Sequence, residues 1–480
     1  MYLNMEEEQM VKINRRIFLI YIMVTTLLFS SCDVSEFIKN DDAKARMVVI
    51  GMDYQNNEIA PSLTGVINDV YEISAAFKEV YGKKNIDLDI HYLVQEGFDV
   101  LVEIKCYAAS NDCLNVMVEE IKEYVSSLAP TPTDVTGYYD STEGFIIRFF
   151  VNSTETAENI KQDLSNIYAE TNKNVEIKYT STQKASSYPT NENIIKAIEN
   201  AKTLRSNDLY IMYYTGHGEV FKTISDEKLR KILTPFLNDG SITDEVYNAT
   251  LELEIKDETN IYGFLAVKHV DSSVVNSISL LVKEEIEKEP VLKGALITAC
   301  TDQVYYDLFD MERLYSLLSE LPCKVILIID ACYSGFASLK GYEGMSFADS
   351  LKSFMVNSPT LPNVAVISAS SKDETSKVTV IKTQEDEFQR HSAFTLKVLD
   401  GFNWIHTSQR KTYLRVPYFK IGSDGSLEET TTIREIDGYV SSAPQRITIN
   451  KFFDSIQSKW DGIDQHPQRN NSGYEICIIP

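Results

Sequence analysis

Runs that are apolar at nearly every position return along the chain: MVVIGM at 47–52, LYIMYY at 209–214, VILII at 325–329 and VAVIS at 364–368. A strand with one wet face alternates apolar and polar residues. One that is apolar throughout needs cover on both faces, which is the condition inside a parallel sheet. Amphipathic stretches supply that cover. LTGVINDVYEISAAFKEVYG places Val66, Val70, Ile73, Phe77 and Val80 at helical spacing and closes on Gly82. NIIKAIENAK and MERLYSLLSEL read as further helices. The expected fold is α/β, a three-layer sandwich around a mostly parallel sheet.

At 480 residues the chain exceeds one compact core, and two stretches break the rhythm. Residues 96–180 read β-α-β-β-α-β, the order of a small ferredoxin-like domain, here as an insertion. Residues 222–292 form a second insertion, with LELEIKD and YGFLAVKHV expected as strands and VVNSISLLVKEEIEKE as a helix.

The N-terminal stretch VKINRRIFLIYIMVTTLLFSSC has a basic start, a short apolar core and small residues before Cys32, the pattern of a secretory signal. The apolar run is short for a transmembrane span. Two serines before Cys32 resemble a bacterial lipobox, so residues 10–32 are expected to be a lipoprotein signal, with Cys32 lipidated and 33–45 a tether. The expected location is a bacterial cell envelope, lipid-anchored, periplasmic or on the outer membrane or surface. A net charge of −24 excludes an extended nucleic-acid surface, which needs clustered Lys and Arg. The other six cysteines show no zinc spacing, and Cys106 with Cys113 is the one pair close enough to suggest a bridge.

Two strand ends carry reactive residues. LYIMYYTGHGE places His217 between Gly216 and Gly218, and VILIIDACYSG places Cys332 at the close of another aliphatic run. In open α/β sheets, reactive groups gather beyond the carboxyl ends of strands, and an imidazole near a thiol favours the nucleophilic thiolate. A lone buried cysteine is usually core and a lone Gly-His-Gly usually a loop. The argument rests on the pair. The glycines are expected to turn the backbone sharply and present N–H groups to an oxyanion.

These residues resemble the catalytic motifs of caspase-like cysteine peptidases, the metacaspase branch in particular. YYTGHGE and DACYSG match the His and Cys motifs, and MVVIGMDY with LTGVINDV, YPTNENIIKAI, VAVISASSKDETS, HSAFTLKVLDGF and ITINKFFDSI follow in the family's order. The resemblance covers about 47–82, 184–221 and 293–475, which defines a peptidase domain of 46–95 and 181–480. It implies hydrolysis of a peptide bond through an acyl-enzyme on Cys332, with His217 carrying the proton and the N–H groups of Gly218 and Cys332 forming the oxyanion hole. The family's acidic S1 pocket falls on Asp69, Thr215 and Asp330, which implies a peptide or protein substrate with Arg or Lys at P1. The plainer alternative for Asp330 is a carboxylate holding local backbone N–H groups, and for Asp69 an ordinary helix-face acid. Calcium activation and self-cleavage are family traits, with Lys340, Lys372, Lys377, Lys382 and Arg390 as available sites. No cofactor is required on this reading, the chain is expected to be a monomer, and the alternative is a catalytically silent binding module on the membrane.

Overall fold

The computed structural model describes residues 44–479 apart from 55–61, 64, 96–97, 109–110, 141–143, 170–172, 254, 300–305, 334–362, 370–377, 383–387, 443–444, 459–466 and 470–475. The signal segment and Cys32 lie outside the described residues. Among the described residues no helix is long and apolar enough to cross a membrane.

The chain opens with β1 (Lys44–Met52), α1 (Val66–Gly82) and β2 (Asp87–Gln95). A separate unit follows: β3 (Val100–Tyr107), α2 (Asn111–Ser126), β4 (Thr133–Asp140), β5 (Gly144–Val151), α3 (Thr154–Tyr168) and β6 (Asn174–Ser181). Then α4 (Asn191–Asn200) leads into the long β7 (Leu209–Thr223). Four helices come next, α5 (Asp226–Asn238), α6 (Asp244–Leu251), α7 (Glu258–Val267) and α8 (Ser272–Lys288). After them run β8 (Val291–Ala299), β9 (Tyr306–Asp310), α9 (Met311–Ser319), β10 (Lys324–Tyr333) and β11 (Val364–Ser368). A hairpin of β12 (Val378–Lys382) and β13 (Phe388–Ser392) joins α10 (Ala393–Gly401) and β14 (Trp404–Ile405). The chain finishes with a second hairpin, β15 (Lys411–Ile421) and β16 (Leu427–Asp437), then β17 (Tyr439–Val440), β18 (Ile447–Thr448), α11 (Ile449–Ser458), β19 (Gln468–Arg469) and β20 (Cys477–Ile479).

The fold is mixed α/β around an eight-stranded sheet. Its main path runs β19-β11-β10-β7-β1-β2, with β2, β1, β7, β10 and β11 parallel. The apolar runs give exactly what such strands need on either side. Met47, Val49, Ile211, Tyr213, Ile326 and Ile328 pack under α1, α10 and α11 on one face. Val48, Ile50, Met212, Tyr214, Leu327 and Ile329 pack under α4 and α9 on the other. Truncating one such residue, as in Ile328→Ala, costs about 2–5 kcal/mol.

Residues 100–181 carry their own antiparallel sheet, ordered β4-β5-β3-β6, and their own core of α2 and α3 against it. The second interruption departs from expectation. Residues 258–267 are a helix where a strand was expected over YGFLAVKHV, and the described residues of LELEIKD, 251–257, leave the helix at 244–251 as turn and bend rather than strand. Alternation and aromatic content favoured strands there, but Thr243 and Asp257 cap the two helices by accepting the Val246 and Asn260 N–H groups. The four helices close a core of their own around Leu229, Leu233, Ile261, Leu265 and Ile278. Cys106 is buried on β3 and Cys113 exposed on α2, and both are free thiols, so the suggested bridge is not formed.

Candidate active site

β7 does not stop before its histidine. It runs on to Thr223 and changes partners on the way: residues 209–218 lie parallel to β10, while 218–223 lie antiparallel to β8. His217 sits at this exchange, buried completely, and its register partner on β10 is Cys332. Two residues earlier, Thr215 lies opposite Asp330. Strand positions two apart share a face, so positions 215, 217, 330 and 332 all belong to the face that α1 and α10 cover. Gly218 lies between Tyr333 of β10 and Leu296 of β8, within the ladder.

Gly216 therefore does a different job from the one its spacing suggested. Gly216 makes no left-handed turn. A Cβ there would stand 2.6 Å from the Tyr214 hydroxyl and 2.8 Å from that of Tyr54. Those two hydroxyls fix the backbone of His217. Its N–H donates to Tyr54 Oη at 2.8 Å, and Tyr214 Oη lies 2.7 Å from the carbonyl oxygens of both His217 and Ile297, its one hydrogen serving either. The Tyr54 ring also lies against the imidazole, centroids 4.4 Å apart.

Asp69, Thr215 and Asp330, the residues expected to line an acidic pocket, are each 1–2 % exposed. Ser392 joins the two carboxylates: its N–H donates to Asp69 Oδ2 at 3.0 Å and its hydroxyl to Asp330 Oδ1 at 2.8 Å. Thr395 donates to Asp330 Oδ2 at 2.5 Å, and the Tyr213 hydroxyl lies 3.4 Å from the same oxygen. His391 Nδ1 lies 2.9 Å from Asp69 Oδ1. Burial pushes Asp330 up to about 6 against the hydrogen bonds of Thr395, Ser392 and Tyr213. Burial pushes Asp69 up to about 7, and the nearby Asp330 adds to the rise while His391 opposes it. On His391, burial acts downward but the carboxylates of Asp69 and Glu72 outweigh it, leaving the imidazole above its usual value.

Ser392 also caps α10 through the Phe394 N–H, so one residue starts the helix and bridges both acids. Gly65 permits this approach. It takes φ +117° before α1, and a Cβ there would lie 2.9 Å from the Arg390 carbonyl.

The sequence singled out His217, Cys332, Asp69, Thr215 and Asp330 but not Tyr54, Tyr213, His391, Ser392 or Thr395. A helix-capping serine ahead of AFTL was the only local signal for any of them. Two clefts, of about 840 and 340 Å³, are lined by none of His217, Asp69, Thr215 or Asp330. Glu72, His391 and His406 form a group of side chains spaced to hold a metal ion.

No family model matches the chain, and no curated protein matches it significantly.

Proposed function

We propose that the chain is a caspase-like cysteine endopeptidase that cuts after Arg or Lys. The observation that carries this reading is the register of Cys332 against His217 on adjacent parallel strands. His217 takes the thiol proton, and the thiolate attacks the peptide carbonyl while the N–H groups of Gly218 and Cys332 receive the oxyanion. The leaving amine takes the proton from His217, and water then hydrolyses the thioester. A P1 cation is selected by Asp330 and Asp69, with Thr215 beside them. Because these acids hold Ser392, Thr395 and His391, the basic side chain must displace those partners on entry.

The same reading puts the protein on a bacterial envelope through lipid on Cys32, with residues 96–180 as a ferredoxin-like insertion. Self-processing fits Arg390, which is exposed and directly precedes His391. The lysines at 340, 372 and 377 lie outside the described residues, as does the side chain of Lys382. Calcium activation, a trait the resemblance implies, would use residues other than the metal-spaced cluster, whose two imidazoles and single carboxylate do not suit an ion that takes oxygen ligands.

The full burial of His217 and the internal bonding of both acids favour one second reading, a catalytically silent module that binds a partner. Fluorogenic peptides with Arg, Lys, Asp or Asn at P1, offered with and without Ca²⁺, separate the two. Cleavage after Arg or Lys that is lost in Cys332→Ala supports the peptidase. A folded protein that turns over none of them and resists thiol-directed peptide inhibitors is the module. Preference for Asp overturns the pocket but leaves the peptidase.

A further inference from the structure

One cluster beside the acids is left without a role by the peptidase reading. Glu72 lies one turn after Asp69 on α1, His391 ends the β12–β13 hairpin, and His406 follows β14. Glu72 Oε2, His391 Nε2 and His406 Nδ1 are buried atoms that make no hydrogen bond. The group's ligand atoms all lie within 4.8 Å of one another. Three buried polar atoms that make no hydrogen bond are expensive inside a protein.

We infer that Glu72, His391 and His406 form a binding site for a divalent d-block cation, zinc above all. Both imidazoles lie close to the Glu72 carboxylate. His406 Nδ1 lies 3.1 Å from Glu72 Oε2, and His391 Nε2 lies 3.7 Å from the other carboxylate oxygen, Oε1. A tetrahedral zinc with bonds of about 2.0–2.1 Å sets its ligands about 3.3 Å apart. The donor set is two imidazole nitrogens and one carboxylate oxygen, which suits zinc, copper or nickel and leaves a fourth position open.

The outer contacts point the same way. With a proton on Nδ1 directed at Asp69, at 2.9 Å, His391 presents the Nε2 lone pair to the cluster. A carboxylate behind a ligating histidine is a recurrent arrangement that fixes tautomer and ring orientation. The competing account is a metal-free ion-pair network with His391 doubly protonated. It would leave the Nε2 proton aimed at a carboxylate oxygen 3.7 Å away, too far for a hydrogen bond. The His406 side chain is 19 % exposed, against 6 % for Glu72 and none for His391, so an ion enters from the His406 side. This site does not depend on the peptidase reading.

The test is binding of metal alone to the purified full chain after chelator treatment. Titration with Zn²⁺ should give one ion per chain bound through this cluster and a raised melting temperature, since a ligand that binds the folded state stabilises it. Co²⁺ in its place should show visible d–d bands without thiolate charge transfer, which separates this site from the free cysteines. His406→Ala and His406→Gln, at the most exposed ligand, should lose the site, as should Glu72→Gln. Asp69→Asn should weaken it by about 10- to 100-fold, as loss of an outer partner does. Absence of Zn²⁺ binding to the wild type, or binding unchanged in both His406 variants, overturns the inference.

Discussion

Cys332 stands directly opposite His217 in the register of two adjacent parallel strands. Neighbouring strands lie about 4.8 Å apart, so no loop has to carry either residue to the other. The same register sets Asp330 opposite Thr215 on the same face. The sheet thus sets the two pairs side by side, at the point where β7 exchanges β10 for β8.

The backbone of His217 depends on two tyrosine hydroxyls. Tyr54→Phe leaves the buried His217 N–H without its acceptor and should destabilise the protein by about 1–3 kcal/mol, measured by urea unfolding.

Gly216→Ala drives a Cβ into the same two hydroxyls and should cost about 1–3 kcal/mol. The cost should shrink when both tyrosines are phenylalanine. A double-mutant cycle with a coupling of at least about 0.5 kcal/mol is the expected outcome.

Asp330 gives a pH signature. Its folded value of about 6 stands above the ordinary 3.8 because it is buried. The folded state therefore holds the proton more tightly, and stability falls as pH rises from about 4 to about 6. About two units correspond to about 3 kcal/mol. The difference in unfolding free energy between wild type and Asp330→Asn should change by that order between pH 4 and pH 7, in the wild type's disfavour as pH rises.

Much of the sheet was legible because aliphatic runs such as Val325–Ile329 have no other stable setting. The helix at 258–267 was not, since apolar and aromatic content outweighed a capping residue, Asp257, that was present all along. That positions 217 and 332 end neighbouring strands was readable from local motifs. The partners of the acids were not: Asp69 and His391 are 322 residues apart, and nothing local in either segment announces the other. Likewise Gly216 read as a turn, because the hydroxyls that exclude a side chain there come from Tyr54 and from Tyr214 on its own strand.

Specificity should follow charge. Asp330→Asn should lower kcat/KM for an Arg peptide at least tenfold relative to an isosteric citrulline peptide, because only the first loses an ionic partner. Equal losses on both would assign Asp330 to structure alone.

The central claim is tested most directly by turnover of an Arg-P1 peptide in the wild type, Cys332→Ala and His217→Ala, each verified as folded. The account predicts cleavage by the wild type and none above background in either variant. Cleavage that persists in Cys332→Ala, or its absence from the folded wild type, would contradict it.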